Sequence, residues 1–361
     1  MAEHTPLYEA TAKAGAVMVE DAGWLVPAHF GDPAAEYEQV RTGCVVFDQS
    51  PRGKVELTGK EAGMFLHNLC TNDVKDMPLG AGCEFFLTTA KAKVMAYGYV
   101  YHVRLGDGQA ALWLDLEPGT AEKVIQHLDH FVISEQVEFA DRTREFAQMH
   151  LAGPNAVVVL ERALMDEIPP LGELQHMERT FGTDATCNIR RRDPLGLPGF
   201  DVICLRARAE TVWQFLVRAG AKPAGKEAFE TLRVEAGTPV WGADVDESTF
   251  APEVARNAQA ISYAKGCYLG QEPIVMARDR GQVNRALLGL KLSSGPVPRG
   301  SLLFRDGKEI GRVMTSVQSP RLGTAIGLAY VRRGNQEPGT KVEVEAGGQR
   351  QTAEVVKLPF G

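Results

Sequence analysis

Apolar and polar positions change period several times along the chain, and those changes mark out its elements. Residues 7–18 carry apolar side chains at roughly helical spacing and predict a helix, followed by a loop holding Gly23, Trp24 and Pro27. Asp32-Pro33 opens a second helix through Arg41, with aspartate as the cap and proline at the first helical position, and Gly43 ends it. From Lys54 a repeating order sets in. A strand at 54–58 and a helix at 60–70 are followed by strands at 84–89, 94–104 and 110–116, rich in aromatic and β-branched residues. A helix at 119–131 and a strand at 136–140 complete a βαβ(β)βαβ order, that of a split βαβ, ferredoxin-like unit with one additional strand. The order then starts again: strand 147–152, helix 154–164, strands 185–191 and 200–206, helices 210–219 and 226–235. The pattern predicts two α/β units of like order in tandem.

After Leu287 the pattern changes. Short strands are predicted at 288–292, 301–304, 309–316, 324–330, 341–346 and 350–357, with no helix among them. Asp306-Gly307 and Gly347-Gly348 are pairs that tight hairpin turns favour. Evenly spaced short strands of this kind predict a small barrel.

A chain of 361 residues is too long for one ordinary core and suggests two or three domains. Its 44% hydrophobic and 24% charged content is that of an ordinary globular protein. Lys plus Arg at 39 against Asp plus Glu at 46, a net −7, argues against a general nucleic-acid binder and leaves room for a local basic pocket for an anionic small molecule. The N-terminus has neither a basic stretch nor an apolar run of secretory type, and no apolar run approaches the roughly 20 residues of a membrane span. No membrane partner is expected, and the cytoplasm is the expected compartment. The six cysteines, Cys44, Cys70, Cys83, Cys187, Cys204 and Cys267, include no C-x-x-C pair. Neither a disulfide framework nor a self-sufficient zinc or iron–sulfur site is expected.

Candidate chemistry lies in a few stretches. Lys265-Gly266-Cys267-Tyr268-Leu269-Gly270-Gln271-Glu272 brackets a thiol with glycines, residues used where the backbone needs positive φ or a close approach. Lys265 is placed to lower the thiol pKa and favour the reactive thiolate, and Arg278, Arg280 and Arg285 follow as further positive charge. The alternative is a buried structural cysteine on a turn. Between Arg233 and Asp244, Gly237-Thr238-Pro239 turns the chain and leaves Trp241 beside Gly242. An arginine and a tryptophan so spaced suit a ligand carboxylate at one end and an aromatic group at the other, against a plainer pair of helix-end arginine and core tryptophan. Asp244, Asp246 and Glu247 read as a solvated acidic loop, His127 and His130 as a wet helix face without a third ligand, and Arg190-Arg191-Arg192 as a rim or interface. No metal site is expected.

Several stretches together resemble one superfamily. Leu7-Tyr8, Gly15-Ala16-x-Met18-Val19, Ala22-Gly23-Trp24 and Val40-Arg41-Thr42-Gly43 resemble the opening of the glycine-cleavage T-protein, an aminomethyltransferase. Phe47-Asp48-x-Ser50, Gly53-Lys54, Leu57-x-Gly59, Thr71-Asn72-Asp73-Val74 and the stretch from Arg233 to Asp244 continue the likeness. The turn Lys265-Gly266-Cys267-Tyr268-x-Gly270-Gln271-Glu272 resembles the YgfZ branch of that superfamily, folate-binding proteins linked to iron–sulfur cluster assembly or repair. The resemblance implies an α+β, three-domain ring of two ferredoxin-like α/β units and a C-terminal small β-barrel around a folate site. The first α/β unit is expected from residues 1–50 plus 142–235, the second from 51–141 plus 236–285, and the barrel from 286–361.

The resemblance also implies tetrahydrofolate as the small-molecule partner, with Tyr101, Arg233 and Trp241 as its contacts. T-proteins hold the reacting folate nitrogen with an aspartate of a Gly-x-Ile-Asp-Asp-Leu-type hairpin; here Ala96 and Tyr97 stand at the two aspartate positions. Leu197 stands where the family has the glutamate that reads the pterin. Neither an apolar nor a phenolic side chain replaces a carboxylate beside an amine reacting near neutral pH. The expected function is therefore a YgfZ-like, folate-binding accessory protein of iron–sulfur assembly, with Cys267 as its functional thiol and iron–sulfur proteins as candidate partners. The alternative is a tetrahydrofolate-dependent aminomethyltransferase or demethylase using another acid–base group.

Overall fold

The structure, a computed structural model, describes residues 2–106, 108–281 and 283–361. The chain forms two compact units: Met1–Phe65, Val74–Cys83 and Gly98–Phe229 make one, and Leu66–Asp73, Glu84–Tyr97 and Glu230–Gly361 the other. Among the described residues no helix is long and apolar enough to cross a membrane.

The first unit contains a six-stranded mixed sheet in the order His176–Phe181, Ala185–Arg191, Gly199–Leu205, Phe146–Ala152, Val45–Asp48 and Lys222–Pro223. Successive side chains on a strand point to opposite faces. Ala147, Met149, Leu151, Cys187, Ile189, Val202 and Cys204 accordingly share one face and form a core with helices Ala156–Leu164 and Ala209–Ala219. The same alternation sends Gln148, His150, Asn188, Arg190 and Asp201 to the other face, and these residues are polar. A second sheet runs in the order Gly82–Thr88, Val94–Arg104, Ala110–Leu116, Gly53–Thr58 and Glu138–Asp141. Its Tyr99, Tyr101, Val103 and Trp113 cluster with Ile203 of the first sheet and with Leu174. The polar face of one sheet is thus covered by aromatic side chains of the other.

The second unit contains the closed barrel, Arg285–Leu292, Thr324–Arg332, Lys308–Ser319, Leu302–Arg305, Lys341–Ala346 and Gln349–Val356 in spatial order. Leu290, Leu303, Val313, Ala329, Val344 and Val355 fill it. Asp306 and Gly307 both take positive φ, 51° and 75°, between paired Arg305 and Lys308, the geometry a two-residue hairpin loop requires. A second apolar cluster in this unit joins Phe86 and Tyr97 to Val245, Ala251, Val254, Tyr268 and Ile274.

The α+β class, the two sheets with their helices and the barrel agree with the pattern of the chain. The N-terminal helix does not extend as far as its spacing suggests. It spans Tyr8–Lys13, because Gly15 turns the chain at φ 92° into a strand at Val17–Asp21. Trp24–His29, expected as loop, pairs with that strand; Pro27 is accommodated where the register shifts at a bulge. Asp32 caps the Pro33–Thr42 helix as expected, its carboxylate accepting from the Ala34 amide at 3.0 Å.

Candidate functional site

Within the first unit, the six-stranded sheet and residues 53–58, 98–104 and 110–116 of the other sheet enclose a layer of buried charge. Asp115 stands at its centre, accepting from Arg52 Nε and from Gln148 Nε2 at 2.9 Å, with Arg190 Nη1 3.6 Å away. Arg52 also donates to Glu117. Asp201 forms a second centre: Arg192 donates through both Nε and Nη2, and His150 Nδ1 lies 2.8 Å from the same carboxylate. Burial pushes both aspartates toward the neutral form. The arginine charges outweigh it, so each carboxyl stays below the usual carboxylate range. Burial dominates at His150, which titrates below an ordinary histidine despite its carboxylate partner.

Tyr101, expected as a folate contact, lies in this layer and is fully buried. The Arg190 guanidinium carbon is 4.0 Å from its ring centroid, a cation–π contact, and burial holds its hydroxyl well above the usual phenol range. Gly82 approaches so closely that a Cβ there would meet the ring at 2.6 Å, so only glycine fits. Arg190 Nε donates to Asn188 Oδ1 at 2.8 Å; the Asn188 amide lies 3.0 Å from His176 Nδ1, and His176 Nε2 3.0 Å from the His102 carbonyl. Burial first, and the Arg190 charge second, lower the His176 pKa to about 4. Lys54 is buried too, its ammonium donating to the Ser50 and Arg52 carbonyls, and burial lowers it to about 8.

The arginine run is therefore no rim. Arg190 and Arg192 are 1% and 3% exposed and point into this layer, while Arg191 is half-buried and pairs with Asp193. The counter-charge of Arg190, Asp115, comes from a strand far off in sequence, and that of Arg192, Asp201, from the next strand, so the run alone looked like surface.

The second unit holds the other three predicted residues. Arg233 is 1% exposed and closes onto its own chain: Nη1 donates to Asp244 at 2.7 Å and to the Thr238 carbonyl, and Nε and Nη2 meet Glu230. Asp244, expected in a solvated loop, is fully buried by this pairing. Trp241 is half-buried against the Phe86–Tyr97 cluster, and its backbone bridges to Val245.

Cys267 is exposed on its turn. Lys265 does not serve it. The ammonium is buried and donates to the carbonyls of His67, Cys70 and Asn72, closing the end of the Ala62–Leu69 helix; burial pushes the Cys70 thiol up to about 11, and the Lys265 charge offsets this only in part. Arg278 is engaged with Asp279 and Arg285 with Glu253. Of the two glycines, Gly270 takes φ 84° and would clash with Thr88 and Thr89 if it carried a side chain. Gly266 has neither requirement.

The position of Tyr97 brings in a residue that sequence reasoning missed. Its hydroxyl donates to Glu84 Oε1 at 2.7 Å, and Arg256 donates to both oxygens of the same carboxylate. Glu84 is 3% exposed. An acid on the neighbouring strand thus stands against the side chain that replaces an aspartate. A lone acid in the apolar run of the Gly82–Thr88 strand, beside Phe85, Phe86 and Leu87, was the available signal. Among the described residues no three of His, Cys, Asp or Glu gather as metal ligands would.

Residues 7–258 match the model of the GCVT N-terminal domain, and residues 285–360 that of the glycine cleavage T-protein C-terminal barrel domain. The chain belongs to the glycine cleavage T-protein family. It is 30% identical to an aminomethyltransferase of Geobacillus kaustophilus, covering 100% of this chain and 99% of the relative. It is 32% identical to one of Rubrobacter xylanophilus, covering 99% and 93%. The crystal structure of glycine cleavage system aminomethyltransferase T from Bartonella henselae superimposes with a TM-score of 0.89 over 100% of this chain and 98% of that one, at 23% identity, so the fold is that of the T-protein.

Proposed function

We propose that this chain is a tetrahydrofolate-dependent one-carbon transferase of the aminomethyltransferase type, in which Glu84 supplies the carboxylate absent from positions 96 and 97. Full-length likeness to relatives named aminomethyltransferase supports the class. The observation that carries the reading is the Glu84 carboxylate, buried and hydrogen-bonded to the Tyr97 hydroxyl. Transfer of a one-carbon unit from an amine donor to a folate nitrogen forms one C–N bond, breaks another and releases the amine, which needs a group that takes or holds a proton at the reacting centre; a carboxylate does this where alanine and tyrosine do not. Arg256 orients Glu84 by donating to both its oxygens; Tyr97 carries a hydroxyl between the acid and a bound substrate. Trp241 and Arg233 of the second unit are the proposed folate contacts. At Arg233 a ligand carboxylate would exchange with Glu230, whose side chain is 31% exposed, while Asp244 stays in place.

The test is formation of methylene- or methyl-tetrahydrofolate from a glycine-derived or methylated-amine donor. Wild-type protein should turn over, and Glu84→Gln should lower the rate by about 10² to 10⁴ while folate still binds. A wild type that binds folate without turnover, or an undiminished Glu84→Gln, removes this reading.

Exposed Cys267 favours a second reading, a YgfZ-type accessory role in iron–sulfur assembly. There Cys267→Ser should abolish complementation of an iron–sulfur enzyme defect with the fold intact. Under the transferase reading the same substitution leaves turnover unchanged.

A further inference from the structure

Four side chains of the charged layer in the first unit each leave one buried polar atom without a hydrogen-bond partner among the described residues: Arg52 Nη2, Arg190 Nη2, Tyr101 Oη and Gln148 Oε1. The four residues are at most 4% exposed. Arg52 and Gln148 donate to Asp115, Arg190 lies 3.6 Å from it, and the Arg190 guanidinium stacks in turn on Tyr101. Unmade hydrogen bonds in an interior are destabilising, and native proteins hold few of them. A fifth such atom, His150 Nε2, lies against Gly199, where a Cβ would stand 3.1 Å from it, and is closed off by that backbone. The remaining four are three donors, two of them cationic, and one acceptor.

We propose that this layer binds a small α-hydroxy- or α-amino-carboxylate. Its carboxylate accepts from Arg52 Nη2, Arg190 Nη2 and the Tyr101 hydroxyl, and its hydroxyl or ammonium donates to Gln148 Oε1. Two guanidinium groups suit a carboxylate, and the single acceptor selects an acid that carries a donor beside it. The depth of burial restricts the ligand to an acid of about two carbons, since a larger one would have to displace packed aromatic side chains. Nothing in this site requires folate, and the inference stands apart from the transferase reading.

Calorimetric titration of the full chain, free of folate, with glycolate, glycine and acetate tests it. Glycolate or glycine should bind, acetate about fivefold or more weakly because it leaves Gln148 unpaired, and Tyr101→Phe, which removes one hydroxyl and keeps the ring, should weaken glycolate about tenfold. Arg190→Met should weaken it further. The proposal is overturned if neither glycolate nor glycine binds to protein of native circular dichroism, the unpaired atoms then being satisfied by water alone. It is equally overturned if Tyr101→Phe binds both acids as wild type does.

Discussion

Arg190 and Arg233 are equally buried and are used in opposite ways. Arg233 is finished: its three nitrogens meet Asp244, Glu230, the Thr238 carbonyl and Thr315, and Asp244 in turn accepts from the Val240 amide and the Thr315 hydroxyl. Arg190 has one strong neutral partner in Asn188, a carboxylate only at 3.6 Å, an aromatic ring beneath it and one nitrogen unpaired. Burial pulls its pKa below the ordinary arginine value, and Tyr101, Asp115 and Asp201 restore it only in part. A buried arginine whose donors are all taken by its own chain holds structure together, and a ligand reaches Arg233 only by displacing half-buried Glu230. One whose charge is left partly uncompensated is held for something else, because burying a charge without full pairing is unfavourable.

The contrast is sharpest when a partner is removed. Asp244→Ala strands Arg233 in the interior and should destabilise the protein by about 3–5 kcal/mol, read by urea unfolding. A loss near that of a surface substitution would show that Glu230 and Thr238 suffice for Arg233. Acid provides a second probe, directed at the first unit. His176 has a folded pKa of about 4 against 6.5 unfolded, so between those values the unfolded chain binds the proton and the folded one does not. Its contribution is absent above pH 6.5, and stability falls as pH drops from 6.5 toward 4, by about 2 kcal/mol between pH 6.5 and 5. His176→Asn should flatten that slope, and Arg190→Met should reduce it by removing the neighbouring cation; an unchanged slope in both would separate His176 from the charged layer. The smallest effect belongs to Cys267. Exposed and without the service of Lys265, its replacement by serine should change stability by less than about 0.5 kcal/mol, whatever it does to function.

Elements governed by local rules were legible in the sequence. Asp32-Pro33 marked a helix start, Asp306-Gly307 a hairpin, and the period-two runs of the barrel their strands, because capping, turn geometry and alternation each act over a few residues. The candidate site was less so. Gln148 and His150 alternate with Ala147, Met149 and Leu151, a signal that both faces of that strand are buried, yet the run Arg190-Arg191-Arg192 suggested surface. What makes those arginines interior is Asp115 and Asp201, brought opposite by sheet order rather than by spacing. Asp244 misled for the same reason: a charge looks solvated until its partner, here Arg233, is placed in space, and Lys265 was assigned to Cys267 because the carbonyls at the end of the Ala62–Leu69 helix are distant in sequence. Likewise Ala96 and Tyr97 reported a lost acid, and only strand pairing brings Glu84 to the Tyr97 hydroxyl.

Equilibrium unfolding of Arg190→Met beside Arg233→Met, under identical conditions and without ligand, tests the difference between these two arginines most directly. Arg233→Met leaves Asp244 buried with its main counter-charge gone and should lose about 3–5 kcal/mol. Arg190→Met leaves Asp115 with Arg52 and Gln148, and should stay within about 1 kcal/mol of wild type or exceed it. Equal losses in the two variants would mean that Arg190 is as much a structural strut as Arg233, and that the charged layer is not a site held open for a ligand.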